Sequence, residues 1–263
     1  MVMNGSAAHA GDHDGHPTQP REAYVFQGRT VTMPVEVRDA SSGAVTYLVN
    51  ASVARSLLPG PELDVVELFP GQALFSIAMI DYRDNDLGDY NEVSLAFFVR
   101  KKGERPALGV PFLGSVVDLF RNSLATWIWK LPVDQSFTCE AGCGIWGFPK
   151  TVEQIDFEDA GGRRTCRLVM DGRHVLTLSV PRGGTRSLPE APMTTYTYLD
   201  GALHRTTFTP KASGVGFGLG GADLILGTHP IADTLRALGL PRTALMSVWM
   251  EHQSARFETP VRA

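Results

Sequence analysis

The sequence predicts a mainly β (α+β) protein, an antiparallel barrel or strongly coiled sheet with a few short peripheral helices. Three observations carry this. Short runs rich in β-branched and aromatic residues recur along the chain, bounded by Gly, Pro, Asp and Asn. Turn dipeptides such as Asp171-Gly172 and Asp200-Gly201 separate them, and Asp-Gly is a strong hairpin signal. A regular β-α-β alternation is absent, which argues against a doubly wound sheet.

Taken in order, Tyr24-Val25-Phe26, Val31-Thr32-Met33 and Val35-Glu36-Val37 read as strands punctuated by Gly28 and Pro34. Asn50 then caps a short helix, Ala51 to Leu58, with Val53, Leu57 and Leu58 on one face and Pro59-Gly60 at its end. Val65 to Leu68, Gln72 to Ile80, Glu92 to Arg100 and Leu124 to Leu131 are strands by composition. Trp127 and Trp129 face the same side of the last of these, either walling a cavity or filling a core, and core filling is the expected role. Lys101-Lys102-Gly103 reads as a hairpin turn. Thr165 to Met170, Val175 to Val180, Thr194 to Leu199 and Arg205 to Thr209 continue the strand spacing. Helices are expected over Val110 to Phe120 and Ile231 to Leu238.

A chain of 263 residues with no dividing linker fits one domain, here residues 21–263. Met1 to Pro20 has almost nothing to bury and reads as a disordered tail; His9, His13 and His16 there offer at most a loose metal contact. That stretch lacks the apolar core of a signal peptide, and no run is long enough to span a membrane. The composition, 43% hydrophobic and 20% charged, permits a sizeable core. A net charge of −4 with scattered Lys and Arg argues against a nucleic-acid partner. Three cysteines, Cys139, Cys143 and Cys166, argue against a disulfide framework and for a cytoplasmic location. Cys139 and Cys143 could share a helical face, but the His partners and second pair of a zinc site are missing, so no metal is expected.

Gly216-Phe217-Gly218-Leu219-Gly220-Gly221 satisfies the dinucleotide pattern Gly-x-Gly-x-x-Gly but sits late in the chain, before a short apolar segment and no helix. It reads as a glycine loop. Asn50-Ala51-Ser52 matches a glycosylation acceptor, without consequence in a chain lacking a secretory signal. Gly-x-Ser-x-Gly, His-Glu-x-x-His, Walker and Cys-x-x-Cys patterns are all absent.

What remains is Lys150, which closes the run Gly144-Ile145-Trp146-Gly147-Phe148-Pro149-Lys150. A free lysine titrates at about 10.4, so at pH 7 only about one in a few thousand is the neutral amine that attacks a carbonyl. Desolvation by Trp146 and Phe148 would lower that value. The other reading is a snorkelling side chain, its stem buried and its head in water, and the local sequence by itself favours it.

Three segments together resemble the acetoacetate decarboxylase family: Tyr24-Val25-Phe26-Gln27-Gly28-Arg29, Tyr90-Asn91-Glu92 and Gly147-Phe148-Pro149-Lys150. Ile225-Leu226-Gly227-Thr228-His229-Pro230 is similar to the family's C-terminal region, and the likeness covers roughly Tyr24 to Pro260. The resemblance implies a cone-shaped β-barrel, self-association into a homo-oligomer, and Schiff-base chemistry on a small β-keto acid with no cofactor. By position it makes Lys150 the condensing amine, Glu92 the carboxylate near the reacting carbons and Arg29 the cation that orients the acid substrate or a buried carboxylate; Trp146 and Phe148, apolar neighbours of the lysine, are expected against the substrate. A protonated imine is an electron sink, so CO₂ can leave as an enamine forms. Two positions depart from the family: Thr151 stands where a second lysine adjoins the active one, and Ser76 where a second acid stands. The implied outcome is therefore decarboxylation first, aldol-dehydration chemistry second, and non-catalytic binding of a small molecule third.

Overall fold

Strands with one apolar face pair and stack until that face is covered, and the alternating runs of this chain do so in three sheets. The structure, a computed structural model, describes residues 22–106, 112, 114–115, 118 and 124–263. The expected tail and nearly all of the helix expected over Val110 to Phe120 lie outside the described residues.

The first strands are β1 (Ala23–Phe26), β2 (Arg29–Thr32), β3 (Val35–Asn50), β4 (Leu63–Val65), β5 (Glu67–Phe69), β6 (Gln72–Asn85) and β7 (Tyr90–Lys101). Next come β8 (Ala125–Val133), β9 (Lys150–Val152), β10 (Gln154–Ala160), β11 (Arg163–Met170) and β12 (Arg173–Pro181). The last are β13 (Arg186–Leu188), β14 (Met193–Leu199), β15 (Ala202–Gly218), β16 (Asp223–Leu226), β17 (Met246–Phe257) and β18 (Val261–Arg262). Three helices are described: α1 (Ala51–Leu57), α2 (Ser136–Trp146) and α3 (Pro230–Ala237).

β1 and β2 form a separate hairpin, and β10-β11-β12-β16 form a four-stranded sheet. The large sheet runs β4-β7-β6-β3-β17-β15-β14-β8-β9, and an additional β7–β8 pairing closes a ring of 7 strands within it. The mainly β architecture is thus as the sequence predicts, with one amendment. β8 pairs in parallel with both β14 and β9. Parallel neighbours need a crossover, and α2 supplies it between β8 and β9; this local β-α-β unit delivers Lys150 to its place.

Period-two patterning explains the core. Val45, Tyr47 and Val49 of β3, Phe75, Ile77 and Met79 of β6, and Val93, Leu95 and Phe97 of β7 pack with Leu168, Leu176 and Leu178 of the smaller sheet. Each such side chain stabilises the fold by roughly 1.5–3 kcal/mol on burial. Trp127 and Trp129 lie against Phe97, with ring centroids 6.0 and 6.3 Å away, so they fill the core as expected. A second cluster gathers Val31, Met33, Tyr82, Tyr90, Leu131 and Phe137 at one end of the ring.

Local signals hold at several points. Asn50 Oδ1 accepts from the Ser52 and Val53 N–H groups at 3.0 and 3.3 Å, capping α1. Asp171-Gly172 and Asp200-Gly201 both adopt positive φ, as two-residue hairpin turns require. Two expectations are corrected. The single strand over Val65 to Leu68 is broken because the chain changes partner there, β4 pairing with β7 and β5 with β6. Gly216, Phe217 and Gly218 are no loop: they end β15 and pair with Trp249, Val248 and Ser247 of β17, a backbone pairing that side-chain periodicity does not record.

Candidate active site

The segment from Gln135 to Lys150 builds the site. Gln135 Oε1 accepts the Thr138 N–H at 2.7 Å and so caps α2. The helix ends at Gly147, φ +66, where a Cβ would come within 2.5 Å of Tyr198 O, so only glycine can make this turn. Pro149 then forces extended backbone, and Lys150 opens β9 alongside Leu131 of β8. The reversal lays the lysine stem back across α2. At Gly142 a Cβ would stand 2.7 Å from both Lys150 Cδ and Cε, so the absent side chain is what lets the stem pass.

Lys150 Nζ arrives 2.9 Å from Glu92 Oε2, with the two side chains 3% and 8% exposed. Nζ also donates to Thr138 Oγ1 at 3.2 Å and lies 4.9 Å from the centroid of the Tyr90 ring. Tyr82 Oη donates to Glu92 Oε1 at 3.3 Å, so the carboxylate has one oxygen on the amine and the other on a phenol. The register of β6 against β7 explains the grouping. Tyr82 pairs with Tyr90 and Ile80 with Glu92, which puts Tyr82, Tyr90 and Glu92 on one face; the two phenol rings stack at 4.5 Å.

Burial pulls the Lys150 ammonium towards losing its proton, but the Glu92 carboxylate and Tyr90 outweigh it and hold the pKa above the ordinary lysine value. The lowered value expected from desolvation is therefore reversed, because a counter-charge is buried with the amine. Burial, partly offset by the Lys150 charge, pushes the Tyr90 phenol up to about 12. Burial and the Glu92 charge raise Tyr82 well above the ordinary phenol value. At rest the site is thus an ammonium–carboxylate pair flanked by two protonated phenols.

Of the residues singled out from sequence, Lys150 and Glu92 meet directly. Arg29, on β2, is exposed and lies with its guanidinium 3.7 Å from the centroid of Phe137, the neighbour of Thr138; among the described residues it makes no ion pair. Trp146 is 2% exposed, donates through Nε1 to Glu258 O at 2.9 Å and packs on Phe148 and Phe257, in the core behind the lysine turn. Phe148 is buried beside it. Ser76 projects from the same face of β6 as Ile80, further along the strand from Glu92, and Thr151 is exposed. Sequence reasoning missed Thr138, Gly142, Tyr82 and Tyr90. Tyr90 was legible, since it lies two residues before Glu92 and so shares its strand face; Thr138 and Gly142 share a helix face by their four-residue spacing.

Among the described residues no group of three or more His, Cys, Asp and Glu side chains is arranged to hold a metal ion. None of the described helices is long and apolar enough to cross a membrane.

A lysine buried against a carboxylate at one end of a closed β ring is an arrangement suited to a Schiff-base-type enzyme. The chain belongs to the acetoacetate decarboxylase family, whose sequence model, described as Acetoacetate decarboxylase (ADC), matches residues 17–254. Solved structures share the fold. An acetoacetate decarboxylase from Legionella pneumophila is 15% identical, with TM-score 0.67, over 95% of this chain and 92% of that one. The enduracididine biosynthesis enzyme MppR, complexed with pyruvate, is 18% identical with TM-score 0.57, over 87% and 90% of the two chains. An acetoacetate decarboxylase-like enzyme from Sphingomonas wittichii RW1 is 14% identical with TM-score 0.56, over 91% and 97%. A search of curated proteins found no significant match.

Proposed function

We propose that this protein is a cofactor-independent Schiff-base lyase that decarboxylates a β-keto acid. The observation that carries the reading is the buried Lys150–Glu92 contact at 2.9 Å. An ammonium cannot attack a carbonyl, and here the proton has one place to go. Transfer from Nζ to Glu92 removes both buried charges at once, which the dry surroundings favour once a substrate fills the site. The neutral amine adds to the ketone carbon, and the oxygen, taking one proton from the nitrogen and one from Glu92, leaves as water. The protonated imine then accepts the electrons of the C–C bond as CO₂ departs. Arg29, at the Phe137 end of α2, is assigned to attracting the substrate acid.

The test is joint. Borohydride in the presence of acetoacetate or a longer β-keto acid should inactivate the protein, and CO₂ should be released without borohydride. Aldol-dehydration is the second reading, favoured by one observation: MppR, of the same fold, has been solved with the condensation product of pyruvate and imidazole 4-carboxaldehyde. Imine trapping without CO₂ from any β-keto acid would select it. Absence of trapping with acetoacetate, pyruvate and longer keto acids would leave a non-catalytic binding barrel.

A further inference from the structure

The site holds more proton-carrying groups than imine formation uses. Lys150 supplies the nitrogen, Glu92 exchanges its proton across 2.9 Å, and Tyr82 is committed to the far oxygen of Glu92. Tyr90 remains. Its ring lies 4.9 Å from Nζ, on the strand face that carries Glu92, and the whole side chain is buried. Stacking on Tyr82 at 4.5 Å and the pairing of the two residues across β6 and β7 fix the ring in place. A phenol whose ring lies this close to Nζ is within reach of the α carbon of an imine formed there, since that carbon is two bonds from the nitrogen.

Resting on the Schiff-base reading above, we infer that the Tyr90 hydroxyl is the catalytic acid–base group that carries the proton to and from the substrate carbon next to the imine. After the C–C bond breaks and CO₂ leaves, the enamine carbon takes the Tyr90 proton; a C–H bond forms, the O–H electrons stay on oxygen, and the nitrogen becomes iminium again. The phenolate so produced faces that positive nitrogen. Water then adds to the iminium carbon and gives its proton to the phenolate, which restores Tyr90 as the ketone leaves. One proton is consumed per CO₂ released, the one the lysine ammonium brought. The high pKa of the buried phenol keeps it protonated at neutral pH, an acid toward the enamine, and the phenolate it leaves is the base for the reverse step.

The test separates imine formation from carbon protonation. Wild type and Tyr90→Phe are incubated with pyruvate or acetone in D₂O; deuterium entering the methyl group is followed by NMR, and borohydride trapping is measured in parallel. Tyr90→Phe keeps the ring, its stack and its contact with Nζ. It should trap imine to the wild-type stoichiometry while deuterium uptake falls by about 10²–10⁴-fold, the usual worth of a positioned acid–base group. Uptake within tenfold of wild type in a variant that still traps overturns the inference and points to Glu92 as the carbon base. Wild type that traps nothing overturns the Schiff-base reading and this inference with it. Should Tyr90→Phe fail to fold, 3,5-difluorotyrosine in place of Tyr90 gives a more acidic phenol of the same shape. The pH dependence of uptake should then move to lower pH with trapping intact, and an unmoved profile contradicts the assignment.

Discussion

Replacing Glu92 by Gln removes the counter-charge and leaves Lys150 in the same buried place, 3% exposed. Breaking a buried ion pair from one side costs about 3–5 kcal/mol. The lysine has an escape, because it can give up its proton. With an unfolded-state value of about 10.4, neutralising it at pH 7 spans about 3.4 pH units at about 1.36 kcal/mol each, which caps the loss at about 4.6 kcal/mol. The signs then differ between the two proteins. In the wild type the folded pKa is raised, so the stabilisation is complete below the unfolded value and is lost only as pH rises through the folded one; Lys150 adds no slope between pH 7 and 9. In Glu92→Gln the carboxylate no longer opposes burial and only Tyr90 does, so the folded pKa drops below the unfolded one. The unfolded chain then binds the extra proton, and stability rises with pH by up to about 1.4 kcal/mol per unit towards pH 10. Urea denaturation of both proteins at pH 7, 8 and 9 reads this directly. Parallel stability-against-pH lines, or a loss below about 1 kcal/mol at pH 7, would refute the claim that the two charges are buried together.

Other perturbations follow from the same geometry. The double variant Glu92→Gln/Lys150→Met removes both charges and should recover to within about 2 kcal/mol of wild type, far less than additive losses imply, when measured in the same denaturation series. Gly142→Ala adds a Cβ 2.7 Å from the lysine stem; borohydride trapping should fall more than about tenfold, with stability down by about 1–3 kcal/mol from overpacking in spite of the gain in helix propensity. Asn50→Ala removes the α1 cap, remote from the site, and should cost about 1 kcal/mol in thermal or urea unfolding with trapping unaltered.

Much of the fold was legible because its signals are local. The cap at Asn50, the Asp171-Gly172 turn and the alternation through β6 and β7 depend on neighbours in sequence. The parallel pairing of β8 with β9 was not, because it depends on where α2 and the turn at Gly147 return the chain, which no local pattern records. At the site, the chemical identity of Lys150 and Glu92 came from the resemblance, but the sign of the lysine's pKa could not. Trp146 and Phe148 stand next to Lys150 in sequence and suggested desolvation alone; Glu92 and Tyr90, brought in by β7, reverse it. Trp146 also shows how adjacency misleads, since the turn at Gly147 sends its indole into the core and Lys150 across the helix.

The central claim is that Lys150 Nζ is the nitrogen that condenses with a keto acid. Borohydride reduction in the presence of acetoacetate or pyruvate, followed by proteolysis and mass measurement of every lysine-bearing peptide, tests it most directly. A substrate-sized mass on Lys150, absent from Lys150→Met, is the expected result. Unmodified Lys150, or reduction at another lysine such as Lys130, would contradict it.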